Sequence, residues 1–190
     1  ARRRKEPSVM KRALEILLLF ALMFFSTSAG AAARYWCGGG SSVNWSAITP
    51  TNWCTASNGV GTDASVPGAT DDVFFDGVGV GASNSTLSAN ITIQSLDMTG
   101  YANTLTHNTT VTLTIGGSGV TFKLAGTYTA ATTNSALSFT GTSGTTLITT
   151  GGNTVGSPTF NGVGGTWQLQ DDWKGFTNSN MTLTNGTLNT

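Results

Sequence analysis

Thr110-Val111-Thr112-Leu113-Thr114-Ile115-Gly116-Gly117 is the stretch on which the fold turns. Val111, Leu113 and Ile115 alternate with threonines, and two glycines close the run. A period of two sends apolar side chains to one face and hydroxyls to the other, the pattern of a half-buried strand. The same pattern returns at residues 120–126, 136–141, 166–170 and 181–186. Residues 87–98 supply two more short strands, with Ile91, Ile93, Leu96 and Met98 as inward candidates. No stretch after Phe25 shows a helical face.

Strand centres recur roughly every 8 to 15 residues, so two or three of them fill one turn of a coil. Stacked like on like, such turns bury each apolar row and leave ladders of Thr and Asn outside. Gly, Asn, Ser and Thr suit the corners, where tight bends need positive φ or local side-chain hydrogen bonds. The reading is an all-β chain: a parallel β-solenoid (β-helix) over 81–190, preceded by a Trp-rich N-terminal cap segment over 34–80. An antiparallel β-sandwich is the rival, since the same spacing fits it. Asn58-Gly59, Asn161-Gly162 and Asn185-Gly186 would serve that rival as hairpin turns.

Residues 10–33 read as a secretory signal peptide. Lys11 and Arg12 form its charged start, residues 16–25 its apolar centre, and Ala29-Gly30-Ala31 or Ala31-Ala32-Ala33 its cleavage box. The apolar centre is too short for a membrane span, which takes about 20 residues. Residues 1–9 read as upstream or leader sequence. The formal net charge of zero depends on this leader, because six of the nine Lys and Arg residues lie at or before position 12. After Ala33 only Arg34, Lys123 and Lys174 remain, against Asp63, Asp71, Asp72, Asp76, Asp97, Asp171 and Asp172. Three minus seven leaves about −4, a poor surface for a polyanion, so nucleic acid is excluded as a partner. Export places the protein outside the cell, secreted or at the surface. There the only two cysteines, Cys37 and Cys54, are most simply a structural disulfide.

Tyr35, Trp36, Trp45 and Trp53 crowd the start of the mature chain. Flat rings suit sugar faces, so one reading is a glycan-stacking platform. The other is that the rings pack on one another as a cap over the open end of the repeats, which solenoids require.

Tyr35-Trp36-x-Gly38-Gly39, Asn44-Trp45-Ser46, Asn52-Trp53 and Pro67-x-x-x-Asp71-Asp72-Val73-x-Phe75 together resemble the opening of secreted bacterial β-strand-repeat proteins, the autotransporter-like or adhesin-like surface proteins. Residues 160–169 and 183–190 are similar to their rungs. The resemblance covers nearly all of 34–190 and implies a pectin-lyase-like parallel β-helix at the cell surface or released from it. It implies no particular activity, and the two cysteines depart from its pattern.

His107 is the only imidazole, and its Thr-His-Asn setting points to a solvent-exposed rung position rather than the base of a triad. No Gly-x-Ser-x-Gly elbow surrounds a serine. Asp71-Asp72 and Asp171-Asp172 are adjacent pairs whose side chains a strand sends to opposite faces, unlike the paired carboxylates of a glycosidase. One of each pair is expected to cap a turn. Asp71, Asp72 and Asp76 could supply hard oxygens to calcium, but turn capping accounts for them and no loop motif supports the ion. No cofactor is implied. The Asn-x-Ser/Thr triplets at Asn44, Asn84, Asn90, Asn108, Asn180 and Asn185 come with the composition.

The function this supports is an exported structural or adhesive segment without catalysis. Its expected partners are surface glycans or other cell-surface proteins. A carbohydrate-active β-helix enzyme, or the targeting arm of one, and a phage fibre component are the alternatives. The strand-like run through Thr190 suggests the N-terminal piece of a longer protein. It also leaves a solenoid end that would self-associate.

Overall fold

Each alternating run forms a strand, and successive runs pair in parallel rather than folding back as hairpins. The computed structural model describes residues 31–39, 42–47, 52–57, 64–77 and 83–190. All of them lie in one compact unit, Ala31–Thr190. The leader, most of the signal peptide and Asn58-Gly59 lie outside the described residues.

Strands β1 (Ala33–Trp36), β2 (Trp53–Cys54) and β3 (Asp72–Phe74) open the fold. Five rungs follow. They are β4 (Ser85–Leu87), β5 (Ile91–Ile93) and β6 (Ser95–Asp97); then β7 (Thr104–His107), β8 (Thr112–Ile115) and β9 (Thr121–Lys123). Next come β10 (Thr127–Ala130), β11 (Ala136–Phe139) and β12 (Thr145–Thr149), then β13 (Thr154–Val155) and β14 (Pro158–Leu169), then β15 (Lys174–Gly175) and β16 (Thr182–Asn189). The long β14 and β16 each run round a corner and serve two faces of the coil.

Three parallel ladders result, besides the short parallel pair β13–β15. One joins β1, β3, β6, β9, β12 and the end of β14; a second joins β5, β8, β11 and the start of β14; the third joins β4, β7 and β10. From β3 onward, partners in the first ladder lie 21–26 residues apart, as in 72→95, 96→122, 122→148 and 148→169, whereas β1 and β3 are 39 apart, as in 33→72. Three strands therefore make one turn of a parallel β-solenoid of five turns. The ladder reaches back to β3 and β1, so the coil begins inside the segment read from sequence as a separate cap.

Register explains the core. Val73, Leu96, Phe122 and Ile148 stack in one inward column, and Ile93, Ile115, Phe139 and Phe160 in another. All eight are essentially inaccessible. Phe139 stacks on Phe160 at 5.1 Å and meets Phe122 edge-on at 5.3 Å, while Trp167 lies 5.3 Å from Phe160. Such aromatic contacts add about 0.5–1.5 kcal/mol each beyond the area they bury.

Outward positions form the matching polar ladders. Thr92, Thr114, Ser138, Thr159 and Thr182 share one register line, and Thr86, Thr106 and Thr129 another.

The two Asn-Gly pairs among the described residues do not make hairpins. Asn161-Gly162 and Asn185-Gly186 sit at the corner inside β14 and β16, and Asn185 Nδ2 donates to Asn161 Oδ1 at 2.7 Å. Gly186 has φ +90°, and a Cβ there would stand 2.5 Å from Trp167 Cζ3. The glycine is needed for the parallel corner rather than for a reversal. This removes the local argument for a sandwich.

Candidate functional site

The three N-terminal tryptophans are core. Trp36, Trp45 and Trp53 are at most 1% exposed and pack on one another and on Phe75 at ring distances of 5.1–5.7 Å. Trp36 Nε1 donates to Ser83, and Trp53 Nε1 donates to the Trp45 carbonyl at 2.8 Å. Trp45 Nε1 has no hydrogen-bond partner among the described residues. Trp45 also lines a small cleft of about 180 Å³ with Val66, Pro67, Leu87 and Ile91. None of the three offers a ring face to a sugar. Tyr35 differs: it alternates outward on β1, is half-buried, and stacks on Phe74 of β3 at 5.1 Å. β2 lies antiparallel against β1, and the Cys37–Cys54 disulfide holds the two together.

The carboxylates are occupied locally. Asp71 accepts from the Gly68 amide at 2.9 Å and pairs with Arg34 Nε at 3.4 Å, an ion pair without hydrogen-bond alignment. Asp72, on the opposite face, accepts from Ser95 Oγ in the next rung, and Asp76 accepts from Ser57 Oγ. Among the described residues no three acidic, His or Cys side chains converge as a metal site would need. Asp171 accepts from the Thr150 and Gly151 amides at 2.8 and 2.7 Å, capping the turn after β12, while Asp172 is exposed.

His107 corrects an expectation. Sequence context placed it in solvent, yet it is fully buried. It occupies the inward column between Leu87 and Ala130, where strand alternation sends every second residue of β7. Its Nε2 lies 2.9 Å from the Val111 carbonyl, which can only accept, so the ring proton sits on Nε2. Nδ1 therefore accepts from the Tyr128 hydroxyl. Burial pushes the imidazole pKa down to about 4, against a smaller opposing effect of the Val111 hydrogen bond. Burial likewise drives the Tyr128 phenol upward. Both ring nitrogens are engaged, and neither reaches solvent to serve a reaction.

Another cleft lies at the opposite end of the coil from the tryptophan cluster. It holds about 470 Å³ and is lined by Leu169, Gln170, Asp171, Asp172, Trp173, Met181 and Thr190. That volume falls within the range of about 300–1,000 Å³ typical of small-molecule sites. Trp173 is the one tryptophan with part of its ring accessible, and Met181 is 40% exposed beside it. Trp173 stands alone in a polar stretch and gives no periodic signal in the sequence, so nothing there marks it beside Asp171 and Asp172. An aromatic face with a free carboxylate and an amide at its rim can stack one face of a sugar ring and bond its hydroxyls.

No helix among the described residues is long and apolar enough to cross a membrane. No protein-family model, curated protein or solved structure matches the chain.

Proposed function

We propose that the chain is a non-catalytic structural and adhesive segment displayed outside the cell. Its solenoid acts as a stiff spacer, and its sides meet glycans or other surface molecules weakly at many points. One observation carries the reading: the outward column Thr92, Thr114, Ser138, Thr159 and Thr182, held in register through five rungs. Strand spacing repeats its hydroxyls about every 4.8 Å. Such an array suits repeated shallow contacts, whose strength comes from number rather than from any single site. The Trp173 cleft adds one deeper contact, and the buried, fully engaged His107 fits a protein without acid–base chemistry. The resemblance to secreted β-strand-repeat surface proteins agrees with this reading, as does a disulfide at the N-terminal end.

The test is binding to a panel of immobilised polysaccharides and cell-surface glycans, with the protein presented singly and clustered on beads. Weak single-copy binding that rises by roughly 10²-fold or more on clustering is expected. Trp173→Ala should reduce it while far-UV circular dichroism shows the β-fold retained, with some loss of stability because the ring also packs against the core. Release of reducing sugar or unsaturated product from the same panel would overturn the non-catalytic reading. Failure of every glycan and every cell surface to bind would overturn the adhesive one.

A further inference from the structure

The third ladder carries threonine at every outward position of its two longer strands. On β7 these are Thr104 and Thr106, and on β10 they are Thr127 and Thr129, each directly in register with its counterpart. Thr86 of β4 extends the second row by one rung. The residues between them, Leu105, His107, Tyr128 and Ala130, are buried, so alternation leaves the threonines outside. Strand geometry then sets a rectangle of side chains, about 4.8 Å between rungs and about 6.6 Å between alternate residues of one strand. All of these positions lie in the interior of the chain, and register without offset keeps the rows straight.

The hydroxyls of this array are unengaged. Among the described residues none of the five bonds to another protein group, whereas Thr109 bonds Thr132 and Ser95 bonds Asp72 on other parts of the coil. Their hydrogen-bonding capacity is therefore turned to water. No ionisable or aromatic side chain points outward from β4, β7 or β10. An ionic partner finds no charge on this face, and a sugar ring finds nothing to stack on. The surface that fits is neutral, rich in donors and acceptors, and periodic in two directions. Crystalline water is such a surface. Its oxygens repeat near the rung spacing along one axis and somewhat above the alternate-residue spacing along the perpendicular one. Each hydroxyl can take the place of a lattice water, with the threonine methyl covering the gap beside it.

We propose that the outer face of the third ladder binds ice, through the rows Thr104–Thr127 and Thr86–Thr106–Thr129. Each contact is weak, and the grip comes from a rigid crystal meeting every position at once. This face is separate from the outward column of the second ladder to which adhesion is assigned, so the inference does not rest on glycan binding.

The 190-residue chain tests it in two assays, inhibition of ice recrystallisation and partition into slowly grown ice, with serum albumin as the reference. The wild type should slow the coarsening of ice grains and enter the ice in excess of albumin. Thr129→Tyr sets a bulky ring in the array, and Thr127→Lys, made separately, sets a hydrated charge there; both positions are exposed. Each should weaken both effects at least roughly tenfold. Thr145→Tyr, at an exposed outward position of the first ladder, should leave them unchanged. Far-UV circular dichroism checks that each variant keeps the fold, which tyrosine suits on a strand surface. Wild-type behaviour equal to that of albumin would overturn the proposal. So would full activity in both third-ladder variants, or an equal loss in Thr145→Tyr.

Discussion

Acidification should weaken this protein through one side chain. The imidazole of His107 binds its proton near 6.5 in the unfolded chain but only near 4 in the fold, because burial disfavours the charged ring. Between those values the unfolded state holds more protons, so the contribution of His107 to stability is complete above pH 6.5. It is lost progressively as pH falls to 4. A shift of about 2.5 pH units at 1.36 kcal/mol each corresponds to about 3 kcal/mol over that window. Replacing His107 by Leu removes the titration and suits the apolar column between Leu87 and Ala130. The variant also strands the Tyr128 hydroxyl and the Val111 carbonyl, so it should be less stable at pH 7 by about 2–4 kcal/mol. Urea unfolding of both proteins at pH 7, 5.5 and 4 separates the two effects. The wild type should lose stability across the window more steeply than His107→Leu. Equal slopes in the two proteins, or an imidazole titrating near 6.5 by NMR, would refute the argument.

Other substitutions probe other levels of the structure. Replacing Cys37 and Cys54 by Ser opens a loop with a sequence separation of 17 and should lower stability by roughly 3 kcal/mol, read from the urea midpoint. Thr110 holds φ +59° at an exposed turn, so Thr110→Gly should raise stability by about 0.5–1 kcal/mol, read from the same midpoint. Phe139 stacks between Phe122 and Phe160, and Phe139→Ala should cost about 3–5 kcal/mol, with protease sensitivity rising across the middle rungs.

Much of the fold was legible because β-alternation is a local signal. The run from Val111 to Ile115 names its own inward residues, and Ile91, Ile93, Leu96, Phe122 and Phe139 follow the same rule. Pairing direction was less legible, because an Asn-Gly pair has the same chemistry at a hairpin and at a parallel corner. Only the stacking of Asn185 on Asn161 distinguishes them. The start of the coil was hidden too, since β1 and β3 are short and lie among aromatic and turn residues. His107 shows the limit of composition: flanked by Thr and Asn it reads as surface, yet the parity of β7 sends it inward. The tryptophan cluster was legible as a set of large rings, with both of its readings open until their burial selected the core. Trp173 gave no periodic signal, because its accessibility comes from its place where the last two rungs meet.

The central claim is that strands one turn apart lie side by side in parallel. Backbone NOEs test it directly. The account predicts parallel-type contacts joining Thr92 to Thr114, Thr114 to Ser138 and Ser138 to Thr159, in that order and without offset. Close Hα–Hα contacts between consecutive strands, such as Leu113 with Phe122, would mean antiparallel hairpins and would contradict the solenoid.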